Sequence, residues 1–200
     1  MHATPAGSVS DQWERISRWL RTNIDGVEFS GAPRTDIDAA ITATGVAWPD
    51  ELVEFFGLAN GLPDGDHVQL LPRHQLLPLD RVIDERAMEL DIWGEFDEDF
   101  GAPDPDSAAG SGAGTYHPAF VPFAGLDGYL LVVDTRPGPL HGCVTEFEKV
   151  DTDDVGPRWA SLSAMLTDLA NSFESGAPFD GGWVPSVVDG RLEWEYAPVG

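Results

Sequence analysis

One cysteine, Cys143, and one lysine, Lys149, occur in these 200 residues. A single thiol excludes an internal disulfide and every cysteine-rich zinc site. Cys143, between Gly142 and Val144 at the entry of an expected strand, reads as a small buried hydrophobe. Basic residues are scarce as a class, 11 against 35 acids, and the formal net charge is -24. Such a charge argues against DNA, RNA and anionic lipid, all of which present phosphate or like charge. It favours a basic partner, or serves only to keep the surface well solvated. No apolar run is long enough to span a bilayer. Met1 to Ser10 is short and polar, without the core of a signal peptide. The expectation is a soluble, cytoplasmic protein in reducing surroundings; export by a signal-free route stays open.

Signatures of metal and catalytic chemistry are also missing. His2, His67, His74, His117 and His141 show no zinc-site spacing. Asp97, Asp99 and Gly101 resemble a calcium loop faintly, without the third acid and the closing glutamate. The run Gly110-Ser111-Gly112-Ala113-Gly114 lacks the lysine of a phosphate loop and the spacing of a nucleophile elbow, and belongs to an Ala-Gly-Ser-rich stretch, Ser107 to Gly114, that reads as a flexible loop. Acids are too abundant for any two to be singled out as a hydrolytic pair. The expectation is no catalytic residue, no metal and no cofactor.

What is present is a core. Hydrophobic residues make up 42% of the chain, seven of them Trp, enough for one domain of this length. A first helix is expected from Ser10 or Asp11, with Asp11 and Glu14 as a capping box and Trp13, Ile16 and Leu20 on one face. Pro33 suits the start of a second helix, buried through Ile37, Ala40, Ile41 and Thr44 and stopped at Gly45. A short helix from Asp50 to Leu58 buries Leu52, Phe55 and Phe56, with Asn60-Gly61 ending it. Val68 to Leu71 is a strand candidate. Asp80 is placed to cap a helix running towards Leu90.

Phe120–Phe123 and Tyr129–Asp134 read as two buried strands around a Gly125-Leu126-Asp127-Gly128 turn. Asp127 is expected in that turn, and Asp134 as a cap of the Arg136-Pro137 turn. Cys143 to Val150 is a third strand. A helix from Arg158 to about Ser175 has its core face at Leu162, Met165, Leu166, Leu169 and Phe173. Asp189-Gly190 is a strong turn signal for a C-terminal hairpin over residues 182–197, in which Leu192, Trp194 and Tyr196 alternate with Glu193 and Glu195.

The order of these elements resembles the SMI1/KNR4 family, the SUKH superfamily. The resemblance rests on Trp13, Ile16 and Leu20; Gly31-Ala32-Pro33; Ile37, Gly45 and Trp48-Pro49; Asn60-Gly61; Leu77-Pro78-Leu79; Pro122-Phe123, Gly128 and Asp134; Gly142-Cys143-Val144; and Ala160 through Gly176. It covers about residues 13–176. Ile41 stands where the family carries an acid, Trp48 where it carries Leu, and Glu85 to Thr115 has no family counterpart. The resemblance implies an α+β fold, a twisted, mainly antiparallel sheet flanked by helices. The chain is read as a single domain of this type over residues 10–200, and its composition marks an acidic and Gly-rich insertion at about 84–115 and a flexible terminus at 1–9. Bacterial relatives are similar to immunity proteins that bind and neutralise a cognate toxin, and fungal relatives to hubs of cell-wall signalling. Neither role has a known catalytic centre.

Within the insertion, Asp91, Trp93, Glu95, Phe96, Asp97, Glu98 and Asp99 combine charge with large apolar anchors, the mixture that interfaces favour. The same stretch also reads as a solvated insertion whose aromatics pin it to the body. The expected function is non-enzymatic binding of a protein partner, an immunity protein against a basic toxin such as a nuclease. A regulatory scaffold is the alternative, and a carboxylate hydrolase a third.

Overall fold

A computed structural model describes residues 7–62, 68–96, 101–150, 152–153 and 156–197. The first helix, α1 (Val9–Asn23), begins earlier than its sequence suggests, because Ser8 is the cap. The Ser8 hydroxyl accepts from the Asp11 amide and the Asp11 carboxylate accepts from the Ser8 amide, both at 3.1 Å. Asp11 is thus in a capping box, but as its inner member. Trp13, Ile16 and Leu20 face the core. The expected flexible terminus falls largely on residues 1–6, outside the described residues.

Helix α2 (Arg34–Thr44) follows Pro33 and stops at Gly45 in left-handed conformation. Gly31, just before it, lies so close to the backbone at the end of α3 (Asp50–Phe56) that a Cβ would sit 1.9 Å from the Gly57 carbonyl oxygen. Helix α3 ends at Phe56, before the expected Leu58. Asn60 acts beyond α3: its Oδ1 accepts from the Leu79 amide at 2.9 Å, capping α4 (Leu79–Gly94) from a distance. Pro78 precedes that helix, so Asp80 lies inside the first turn rather than at the cap. Helix α4 runs a turn beyond Leu90, carrying residues 84–94 of the acidic stretch as regular helix.

The central sheet has the order β1-β2-β3-β4, all antiparallel, from β1 (Gln75–Leu76), β2 (Phe120–Leu126), β3 (Tyr129–Asp134) and β4 (Val144–Glu148). Val68 to Leu71 forms no strand. Its apolar side chains are buried, but the Gln69 carbonyl accepts from the Trp194 indole at 2.9 Å instead of joining a ladder. Asp127 and Gly128 make the two-residue turn of the β2–β3 hairpin with φ of 54° and 88°, as a turn matched to strand twist requires.

Both faces of this sheet are covered, which explains its near-continuous apolar strands. Val121, Phe123, Leu131, Val133 and Val144 join the main core with α1, α2, α3 and α5 (Leu162–Ser175). Phe120, Leu130, Val132 and Phe147 form a second core with Tyr116, against which Leu90, Trp93 and Ala113 pack. Ser161 caps α5, later than the expected Arg158. The reason is a backbone bridge: the Val144 carbonyl accepts from the Arg158 and Trp159 amides, holding both residues extended. A separate hairpin, β5 (Trp183–Val188) and β6 (Arg191–Tyr196), turns at Asp189-Gly190 and packs through Leu192 and Trp194. The fold is α+β, with helices flanking an antiparallel sheet and a hairpin at the C-terminal end. Among the described residues no helix is long and apolar enough to cross a membrane.

The Ala-Gly-Ser stretch 107–114, expected to be flexible, is tied down. Arg136 donates to the Ser107 hydroxyl and the Ser111 carbonyl, each at 2.7 Å. The Gly110 amide donates to Asp134 at 2.8 Å, and the Ala113 amide to Asp153 at 2.9 Å. Small residues allow the close approach; the buried charges supply the partners.

Candidate partner-binding groove

The C-terminal half of α4 is apolar on two sides. Leu90 and Trp93 turn inward to the second core, and the Trp93 ring meets Phe147 edge-on at 5.5 Å. Met88, Ile92 and Phe96, spaced four residues apart, form an outward stripe; Phe96 is 42% exposed. Met88 and Ile92 share one helix face, and Phe96 lies in the turn just past the end of α4.

Ile92, Trp93 and Phe96 form one wall of a groove of about 710 Å³. Lys149, Val150 and Thr152, just beyond β4, form the other, and Gly114 of the pinned loop closes one side. Val150 is 85% exposed, unusual for a β-branched apolar residue beside further exposed apolar groups. Glu89 also lines the groove, although it is only 1% exposed. The Trp93 indole donates to its Oε2 at 3.2 Å. Burial raises the Glu89 carboxyl above the ordinary glutamate value, while the charge of Lys149 and the Trp93 bond oppose that rise. Lys149 itself reaches over the hairpin turn: a Cβ on Gly128 would lie 2.6 Å from its Cε.

Of the seven residues singled out in the sequence, the structure brings Trp93 and Phe96 together in the groove, their ring centroids 6.3 Å apart. Trp93 is half-buried and also serves the core. Asp91 on α4 and Glu95 at its C-cap are exposed, each one residue before a groove residue. Asp97, Glu98 and Asp99 lie outside the described residues, as does most of the calcium-like loop. Among the described residues no three His, Cys, Asp or Glu side chains gather as a metal site needs.

Sequence reasoning missed a second charged cluster. Glu146, inside apolar β4, is met by Arg158, by Arg73 at 3.1 Å and by His74 at 3.0 Å. Arg158 also holds both carboxylate oxygens of Asp180, at 2.8 and 2.7 Å. Burial raises the Glu146 carboxyl, but the His74 bond and the charges of Arg158, His74 and Arg73 outweigh it, leaving it below its usual range. The one available signal was an acid amid strand residues, which demands buried partners. The cluster sets Arg73, His74 and Arg158 against Glu146 and Asp180, joining the segments just before β1, α5 and the terminal hairpin to β4.

A sequence model of the SMI1 / KNR4 family (SUKH-1) matches residues 31–168. The chain belongs to this family. The SUKH match begins at Gly31, the residue with no room for a side chain, and ends within α5. It therefore takes in the whole four-stranded sheet, α4 and both walls of the groove. Helix α1 and the β5–β6 hairpin lie outside the matched span, which is narrower than the resemblance traced from Trp13 to Gly176. No curated protein matches the chain.

Proposed function

We propose that this SUKH-family chain is a non-enzymatic binding protein of the immunity type, which neutralises a basic toxin by docking it on the α4 groove. One observation carries the reading: Ile92, Phe96 and Val150 leave apolar surface exposed around a groove, in a chain of net charge -24. Large exposed apolar groups are where a partner gains burial energy. Surrounding negative charge guides a basic partner and disfavours an acidic one. The acids Asp91 and Glu95, with Asp97, Glu98 and Asp99 next in sequence, supply the steering; Trp93 and Phe96 supply the anchors. Binding without turnover implies neutralisation in proportion to the amount bound.

The test is capture of the partner from the native cell, identification by mass spectrometry, and co-expression with the captured protein. Rescue from its toxicity by the wild-type chain, lost in F96A, supports the reading. Rescue that saturates at one equivalent supports binding without chemistry; neutralisation far below one equivalent would sink it. A captured protein whose binding is indifferent to F96A moves the interface elsewhere.

A further inference from the structure

We infer that the groove is built to receive an arginine side chain of the protein partner, its stem against Ile92, Phe96 and Val150 and its guanidinium at Glu89. This rests on the docking site proposed above and adds which chemistry occupies it. A purely apolar anchor fits the walls but not the floor. Glu89 is a carboxylate at 1% exposure that lines the groove. Among the described residues its hydrogen-bond donor is the Trp93 indole, and no cation stands in ion-pair contact with it. An ionised carboxylate has about four acceptor positions, so a single neutral donor leaves it far from satisfied. Filling the groove with hydrocarbon would leave that buried carboxylate still short of donors.

A guanidinium resolves that conflict. Its stem is apolar and covers hydrocarbon, while its fork delivers two parallel N–H donors to one carboxylate. Its flat face also suits the aromatic pair Trp93 and Phe96. A lysine ammonium would bring charge without the planar match. The field agrees in sign. Glu85 adds negative potential at Glu89, Arg81 pairs with Glu85, and Lys149 opposes from the far wall. Arg86, buried one turn before Glu89, is taken up by the Phe120 and Pro118 carbonyls, and Asp91 and Glu95 add two exposed acids at the end of α4.

Three small probes separate the possibilities on the intact chain: N-acetyl-arginine methylamide, its uncharged citrulline counterpart and the leucine amide. The Trp93 indole N–H signal in NMR, assigned with W93F, reports occupancy. The arginine probe should shift it with an affinity at least about tenfold above the citrulline probe, the worth of one charge-assisted bond. E89Q keeps an acceptor for Trp93 and should bring arginine down to the citrulline level. K149M removes a competing positive charge and should strengthen arginine binding. A leucine probe that matches or exceeds arginine, no arginine-dependent shift, or an E89Q variant that binds arginine unchanged would overturn the inference. If those results came with a captured partner still sensitive to F96A, the docking site would stand and only the arginine would fall.

Discussion

Trp93 donates its indole N–H to Glu89 Oε2 at 3.2 Å, one turn back along α4. The bond joins a residue of the second core to the floor of the exposed groove. Packing of the sheet and shape of the groove are therefore linked through one side-chain pair, and a change at Glu89 is felt on both sides.

The buried Glu89 carboxyl gives a pH signature. Its value is raised above 4.5 in the folded chain, first by burial. Below the unfolded value the group is protonated in both states and contributes nothing. Between the unfolded value and the raised folded value the unfolded chain gives up this proton while the native state holds it, so stability falls across that window and levels off above the folded value. E89Q removes that cost. Urea denaturation between acid pH and neutrality should show E89Q gaining on wild type as pH increases. A gap that stayed constant with pH would mean that Glu89 ionises without penalty.

Charge reversal tests steering. Changing Asp91, Glu95, Asp97 and Asp99 to Lys should lower the association rate with the captured partner by about one to three orders of magnitude at low salt. Stopped-flow traces at several ionic strengths should also show a flattened salt dependence. Dissociation should change far less, since steering acts before contact. Unchanged association kinetics would remove these acids from the mechanism.

Arg136 and Asp134 test the loop behind the groove. Their side chains are each 1% exposed and meet at 2.7 Å. Removing one partner leaves the other charge buried, at a cost of about 3–5 kcal/mol. R136M should lose that much in chemical denaturation. Hydrogen exchange should rise at Gly110, whose amide donates to Asp134. A loss under about 1 kcal/mol would mean that water replaces the guanidinium and the pair is not closed.

Gly31 tests the joint between α2 and α3. A Cβ there would meet the Gly57 carbonyl carbon at 2.3 Å as well as its oxygen. Backbone cannot rotate away as a side chain can. G31A should therefore cost at least the upper end of the about 1–3 kcal/mol usual for overpacking. A melting temperature equal to wild type would show that the two helices have room to part.

Much of the fold was legible because its signals are local. Helical spacing marked the buried faces of α1, α2, α3 and α5, and Asp127-Gly128 and Asp189-Gly190 marked both hairpin turns. Boundaries failed where a distant group intervened. Asn60 took the cap expected of Asp80, the Trp194 indole took the Gln69 carbonyl, and Val144 held Arg158 and Trp159 out of α5. The loop at 107–114 looked mobile because its composition says nothing of Arg136 and Asp153, whose charges hold it. Of the groove, Trp93 and Phe96 could be named from sequence. Lys149, Val150 and Thr152 could not, since they reach it only through the pairing of β4 with β3.

The order of residues alone determined the SUKH-type succession of elements, the acidic character and the aromatic residues set among acids around the end of α4, because periodicity, turn chemistry and charge are properties of neighbours along the chain. Tertiary structure decided which charges are buried, which loop is held, and that Glu89 lies under an open apolar groove. Those outcomes depend on groups far apart in sequence whose desolvation is settled only when the sheet closes over both of its faces.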